Sequence, residues 1–90
     1  MELGQNYPNP FNPVTTIRFR TGSSTYAVID VYDVNGRFVS RIFEGTAGPE
    51  KNTVTWDGTN GRGVPVSSGI YFCRLRAGEQ ALSRKMILLR

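Results

Sequence analysis

Prolines at positions 8, 10 and 13, within Gln5-Asn6-Tyr7-Pro8-Asn9-Pro10-Phe11-Asn12-Pro13, constrain this chain more than any other feature. Each proline fixes φ near about −65° and removes a backbone donor. Each also pushes the residue before it towards extended geometry. The segment can therefore be neither a helix nor a central strand. Residues 1–14 read as an extended, semi-rigid, proline-rich lead-in, with Tyr7 and Phe11 able to pin it to the rest of the chain. A short stiff arm at the head of a small β-rich chain suits a module that hangs from something larger. Attachment, rather than catalysis, is the expectation.

Ninety residues make a single domain. Hydrophobic residues at 39% and aromatics at 11% are enough for a packed interior. No apolar run approaches the roughly 18 residues of a membrane span, so no membrane insertion is expected. Met1-Glu2-Leu3-Gly4 has neither the basic region nor the apolar run of a secretion leader. It reads as a start added to an excised piece of a longer protein. The net charge of +4 is a mild excess, short of a nucleic-acid footprint, so no nucleic-acid partner is expected. Basic residues thicken towards the end, at Arg74, Arg76, Arg84, Lys85 and Arg90. They form either a solvated rim or a steering patch for an acidic partner.

Beyond the arm, Thr15-Thr16-Ile17-Arg18-Phe19-Arg20 alternates as a half-buried strand does. Residues 26–33 form the next strand, with Ala27, Ile29 and Val31 on one face. Asn35-Gly36 predicts a hairpin with a type I′ turn. The return strand spans residues 37–43, where Val39 and Ile42 have opposite parity and imply a bulge. Residues 44–49 read as a loop and residues 52–57 as a strand that puts Val54 and Trp56 on one face. A glycine-dense turn comes next over residues 57–63, and Val64-Pro65-Val66 is a short extended piece that its proline confines to an edge. Residues 69–77 give the clearest strand, with Tyr71, Cys73 and Leu75 together. A second hairpin through Ala77-Gly78-Glu79 leads into residues 81–89. About seven short strands with turn chemistry between them predict an all-β immunoglobulin/fibronectin-III-like antiparallel β-sandwich over residues 15–90. Its core is expected from Ile17, Phe19, Ile29, Val31, Val54, Trp56, Tyr71, Leu75, Met86 and Leu88.

Several residues invite a functional reading. The chain lacks histidine, and with it the usual general base and commonest metal ligand. No nucleophile constellation and no suggestive carboxylate pair is present, so the chain reads as no enzyme and implies no cofactor. Cys73, the only cysteine, has no disulfide partner and reads as a small buried apolar residue. Tyr71 reads as structural, its hydroxyl reaching backbone near the turn. Asp57-Gly58-Thr59-Asn60-Gly61 carries one carboxylate, too few for a calcium loop. It reads as a turn held by Asp and Asn side chains bonding nearby backbone. Tyr26, Tyr32, Phe38, Phe43 and Phe72 could build a sugar platform if several shared an open face, and otherwise pack the sheets. Lys85 with Met86, Ile87, Leu88 and Leu89 stands out, because a one-sided strand should alternate and this one does not. Both of its faces are covered, or one apolar face is open to a partner. At a sheet edge, its backbone would also permit strand addition by a receptor.

The opening motif followed by Thr15-Thr16-Ile17-Arg18-Phe19 resembles the start of a type A C-terminal sorting domain of the type IX secretion system. The likeness continues through Val31-Tyr32-Asp33-Val34-Asn35-Gly36-Arg37 and Val54-Thr55-Trp56-Asp57-Gly58. It extends over Gly63-Val64-Pro65-Val66-Ser67-Ser68-Gly69-Ile70-Tyr71-Phe72 and closes with Arg84-Lys85-Met86-Ile87-Leu88-Leu89. The fold also resembles the immunoglobulin-like domain of flagellar hook-capping proteins. Thr21-Gly22 stands where leucine-proline is frequent in the family, and Cys73 where an aromatic or aliphatic residue is common. The resemblance implies an address label at the C-terminus of an exported protein of Bacteroidetes and related bacteria, crossing the periplasm and ending on the cell surface or secreted. Its implied partners are the outer-membrane translocon with its shuttle, a sortase-like peptidase, and a covalently linked N-terminal passenger. The family's motif positions fall on Gly69, Tyr71, Gly78, Lys85 and the tail Met86, Ile87, Leu88 and Leu89. A passive or adhesive spacer in a surface or flagellar protein, or a carbohydrate-binding module, is the alternative reading of the same sandwich.

Overall fold

In the computed structural model, which describes residues 1–90, the chain forms seven strands and no helix. They are β1 (Glu2–Leu3), β2 (Thr15–Arg20), β3 (Thr25–Asp33), β4 (Phe38–Ala47), β5 (Asn52–Trp56), β6 (Gly69–Ala77) and β7 (Gln80–Leu88). Two antiparallel sheets, ordered β1-β2-β5 and β4-β3-β6-β7, face each other as a sandwich. Period-2 alternation places Ile17 and Phe19 from one sheet against Ala27, Ile29, Val31, Tyr71, Cys73, Leu75, Met86 and Leu88 from the other, all buried. Trp56 closes this core from the end of β5, and Val54 packs on it half-buried. Burying each large side chain is worth about 1.5–3 kcal/mol. Leu3, Phe11 and Ala47 complete the interior, although none of them was an expected core residue.

The Asn35-Gly36 turn differs from its expectation. No non-glycine residue has positive φ, so Asn35 cannot occupy a type I′ position, and only Gly36 is left-handed, at φ 80°. Gly36 N–H donates to the Asp33 carbonyl (3.0 Å), and Asp33 N–H donates to Arg37 (2.9 Å). This is a longer loop closed by a glycine bulge. Asp33 decides it: its Oδ1 accepts the amides of Asn35 and Arg37, both at 2.9 Å. The return strand also runs on to Ala47, through the stretch expected as a loop. Ile29 opposes Phe43 and Asp30 opposes Arg41, leaving Ile42 unopposed; Val39 is skipped likewise between Ser40 and Phe38. Two bulges therefore absorb the conflicting parity of Val39 and Ile42. Val64-Pro65-Val66 is not a strand, since only Pro65 makes a bridge, to Thr59. The backbone there follows the turn, with Asn60 Oδ1 accepting the amides of Arg62 (2.9 Å) and Val64 (3.1 Å).

The proline segment is built into the sandwich. Tyr7 exchanges two 2.9 Å backbone hydrogen bonds with Thr16, while its ring stays exposed. Buried Asn6 donates to Thr15 Oγ1 (3.0 Å) and the Pro8 carbonyl (3.1 Å). The Tyr7–Pro8, Asn9–Pro10 and Asn12–Pro13 peptide bonds are cis. The chain then crosses to the other sheet. Phe11 N–H donates to the Ile87 carbonyl (3.0 Å) and its own carbonyl accepts Leu89 N–H (2.9 Å), a parallel pairing with the end of β7. The Phe11 ring is 2% exposed and tilts against Trp56, centroids 5.6 Å apart. Of the two aromatics able to pin the arm, Phe11 does so with its side chain and Tyr7 with its backbone.

Candidate partner-binding surface on the last hairpin

Strands β6 and β7 pair from Gly69↔Leu88 to Ala77↔Gln80, with a two-residue turn at Gly78-Glu79. Gly78 has φ 59° at the first central position, the place a type II′ hairpin turn reserves for glycine. Register then assigns each expected partner-binding residue to a face. Tyr71, Met86 and Leu88 point inward and are buried. Tyr71 also donates its hydroxyl to the Ser67 carbonyl (2.7 Å) and packs its ring edgewise on Trp56, 5.1 Å between centroids. Lys85 and Ile87 point outward, opposite Phe72 and Ile70, and Leu89 beyond them is 52% exposed. Gly69 sits at the start of the hairpin and Gly78 about 30 Å away at its tip, from the rise of β6. The hairpin thus presents Lys85, Ile87 and Leu89, joined by Ile70 and Phe72. Tyr71, Met86 and Leu88 shape that surface from behind.

The outer face of the four-stranded sheet extends this strip. Phe38, Tyr32, Phe72 and Lys85 fall in one row across β4, β3, β6 and β7. The Tyr32 and Phe38 rings meet edgewise at 6.2 Å. Tyr26 lies on the same face and donates its hydroxyl to Glu44, whose carboxylate raises the phenol's pKa. Phe43 instead packs inward on Phe19, at 4.9 Å. In the next row Asp30, its side chain 3% exposed, accepts Arg41 Nε at 2.9 Å and faces Arg76 Nη2 at 3.5 Å. The Asp30 hydrogen bond raises the Arg41 pKa further, against the lowering effect of burial. Arg74, across the strand pair from Asp30, and Lys85 make no ion pair of their own. Asp30 was not singled out from sequence as an organiser of this surface. The available signal was a carboxylate inside the apolar run of β3, which must find cations to be buried.

The edge of β7 is divided. Gln5 Nε2 donates to the Lys85 carbonyl (2.7 Å), and Ile87 N–H donates to Asn9 Oδ1 (3.0 Å). With the Phe11 bonds, the arm fills the backbone edge from Lys85 to Leu89, so strand addition there is pre-empted by the chain itself. Residues 80–84 are all exposed and have no such cover. Elsewhere the tempting residues are structural. Cys73 is fully buried, and burial pushes its thiol up to about 11. Asp57 Oδ1 accepts the amide of Thr59 (3.2 Å) and its hydroxyl (2.6 Å).

No curated protein matches the sequence. Among solved structures, dimeric latent PorU from Porphyromonas gingivalis is similar at 27% identity and a TM-score of 0.69, over 93% of this chain and 9% of that one. PorZ, described as an essential surface component of the type-IX secretion system of the same organism, superposes with a TM-score of 0.70 at 21% identity, over 94% of this chain and 11% of that one. The second likeness shows the fold alone. In both cases this chain spans about a tenth of the larger protein. The family pattern described as "Secretion system C-terminal sorting domain" matches residues 5–89, which takes in the docked arm, both sheets and the whole last hairpin. The chain belongs to that family, the C-terminal sorting domains of type IX secretion.

Proposed function

We propose that this domain is a non-catalytic sorting and anchoring signal that directs an exported passenger, covalently joined on its N-terminal side, through the type IX system. It crosses the periplasm folded, docks on the outer-membrane translocon and its shuttle, and is handed to a sortase-like peptidase as the passenger reaches the cell surface or is secreted. The observation that carries this reading is the outward strip of the last hairpin. Ile70, Phe72, Arg74, Lys85, Ile87 and Leu89 place apolar and cationic groups side by side, and the domain's own chain leaves Lys85 and Leu89 exposed. A rigid β-ribbon with such a face can be read without unfolding. The proline arm, docked on β7, sets where the passenger's chain leaves the domain.

Fusing residues 1–90 behind a secreted reporter, in a host with this pathway, tests the proposal. Surface display or release is expected, and retention of the folded fusion in the periplasm would refute it. Deleting residues 85–90 is a poor probe, because it removes Met86 and Leu88 from the core. A Phe72→Ser, Lys85→Glu pair changes the outer strip alone, and should block export while circular dichroism stays that of the parent.

A further inference from the structure

We infer that the uncovered part of the β7 edge, residues 80–84 with the Lys85 amide, is a strand-addition site for an extended acidic segment of a partner protein. The inference rests on the sorting role proposed above and deepens it by naming the mode of contact. The arm already demonstrates the mode on this strand. Its backbone pairs with Ile87 and Leu89, and its Phe11 ring enters the seam between the two sheets beside Trp56. Above Lys85 that arrangement stops, although the strand continues. Leu82, opposite the fully buried Leu75, is an inward position and yet remains 37% exposed. Leu3 and Gly4 border the same cleft from the first sheet, and Arg84 spans it by donating Nε to the Leu3 carbonyl (2.9 Å). The upper seam therefore offers an open cleft beside an unpaired strand edge, with Met1, Leu3 and Leu82 as its apolar lining and Glu2, Ser83 and the bridging Arg84 as its polar one.

Antiparallel pairing sends alternate backbone groups to opposite sides of a strand. Since Lys85, Ile87 and Leu89 bond to the arm, the N–H and C=O of Ala81 and Ser83, and the N–H of Lys85, point to the open side. An added strand would take these groups and place an aliphatic side chain against Leu82. The charge of the site selects its composition. Arg84 lines the cleft and Lys85 follows it on the strand; of the nearby carboxylates, Glu2 is paired with Arg20 and Glu79 lies back in the turn, and β7 itself contains none. A second copy of this domain would bring one net charge of +4 against another, whereas an acidic strand is attracted.

The test uses a capped peptide of alternating aspartate and valine, titrated into the isotope-labelled domain. Amide shifts at Ala81, Ser83 and Lys85 are expected, with exchange at these sites slowed at least about tenfold. A lysine–valine peptide should leave them unmoved. Ser83→Pro removes an outward donor without breaking the pairing to β6, so it should abolish the response in a protein that still folds. Leu82→Asp, which charges the cleft, should do the same and guards against a local effect of proline. No response to the acidic peptide, or shifts confined to Tyr32 and Phe72 on the outer face, would overturn the inference. So would slowed exchange that tracks dimer formation in sedimentation. In the reporter host, normal display of the Ser83→Pro fusion would sink the strand-addition site and spare the sorting role. Retention of the unmodified fusion would sink the sorting role itself.

Discussion

Replacing Phe11 with alanine separates an arm that is part of the fold from an arm that only links it to cargo. The Phe11 ring is 2% exposed, lies 5.6 Å from Trp56, and belongs to the single cluster that forms the core. Truncating a ring so buried removes its transfer free energy and leaves a cavity between rigid strands, together about 3–5 kcal/mol. The backbone bonds to Ile87 and Leu89 remain available to alanine, so the loss is one of packing. A domain of this size shifts its melting midpoint by about 4–8 °C per kcal/mol, which predicts a fall of roughly 12–40 °C. Net stability of such domains is only about 5–15 kcal/mol, so the loss is a large fraction of the whole. Tyr7→Ala is the matched control, because that ring is 76% exposed and its backbone bonds to Thr16 survive. It should change stability by no more than about 0.5 kcal/mol. Thermal and urea melts of the two variants beside the parent decide the matter. A Phe11→Ala midpoint within a degree or two of the parent would refute the account of the arm as a core element.

Trp56→Ala should cost about 3–5 kcal/mol in a urea melt, since the ring touches Phe11 and Tyr71 and its Nε1 donates to Thr59. Gly78→Ala, which forces a Cβ into φ 59°, should lose about 1–2 kcal/mol without any steric clash, read from the same melt. Cys73, whose folded pKa is raised to about 11 by burial, should resist iodoacetamide at pH 8 and react only on unfolding. Because a raised folded pKa favours the protonated native state, its contribution to stability should hold below the unfolded thiol's pKa and fade as pH climbs towards 11; Cys73→Ser should flatten that decline in alkaline urea melts.

The last hairpin was legible because its information is local. Alternation in residues 69–77 names the inward face without reference to anything distant, and β6 spans those residues. The uniformly apolar tail was harder. Met86 and Leu88 are apolar because they face the core, while Ile87 is apolar on the outer face, so one run serves two surfaces. Phe11 could not be placed from sequence, since its partners Trp56, Ile87 and Leu89 lie far along the chain and obey no period that includes it. At Asn35-Gly36 the dipeptide gave the hairpin but the wrong turn, because the flanking Asp33 carboxylate captures two amides and sets the geometry. Val64-Pro65-Val66 has strand-like composition, yet Asn60 ties the backbone beside it into a turn. The β7 edge, half covered and half bare, is set only by the arm's path.

On the proposed sorting role, that division gives β7 two mechanical roles. Unpaired strand edges promote non-native association, and proteins commonly blunt them with charge, bulges or cover. Here β4 carries two bulges and has its Val39 carbonyl taken by Gly61, while the end of β7 is capped by the arm. The open part of β7 is left with charge alone, at Arg84 and the adjoining Lys85. On the proposed sorting role, tension from the passenger reaches β1 and the Gln5–Phe11 segment before any other part of the sandwich. Of those residues, β1, Gly4 and Tyr7 are bonded to β2, whereas Gln5, Asn9 and Phe11 are bonded to β7, the strand whose open half a partner would grip. A pull on the cargo is then opposed first by the β1–β2 pairing and next by the arm's bonds to β7, and the core behind Met86 and Leu88 ties the two sheets together. An edge sealed along its whole length would protect the domain better, but could not be held this way.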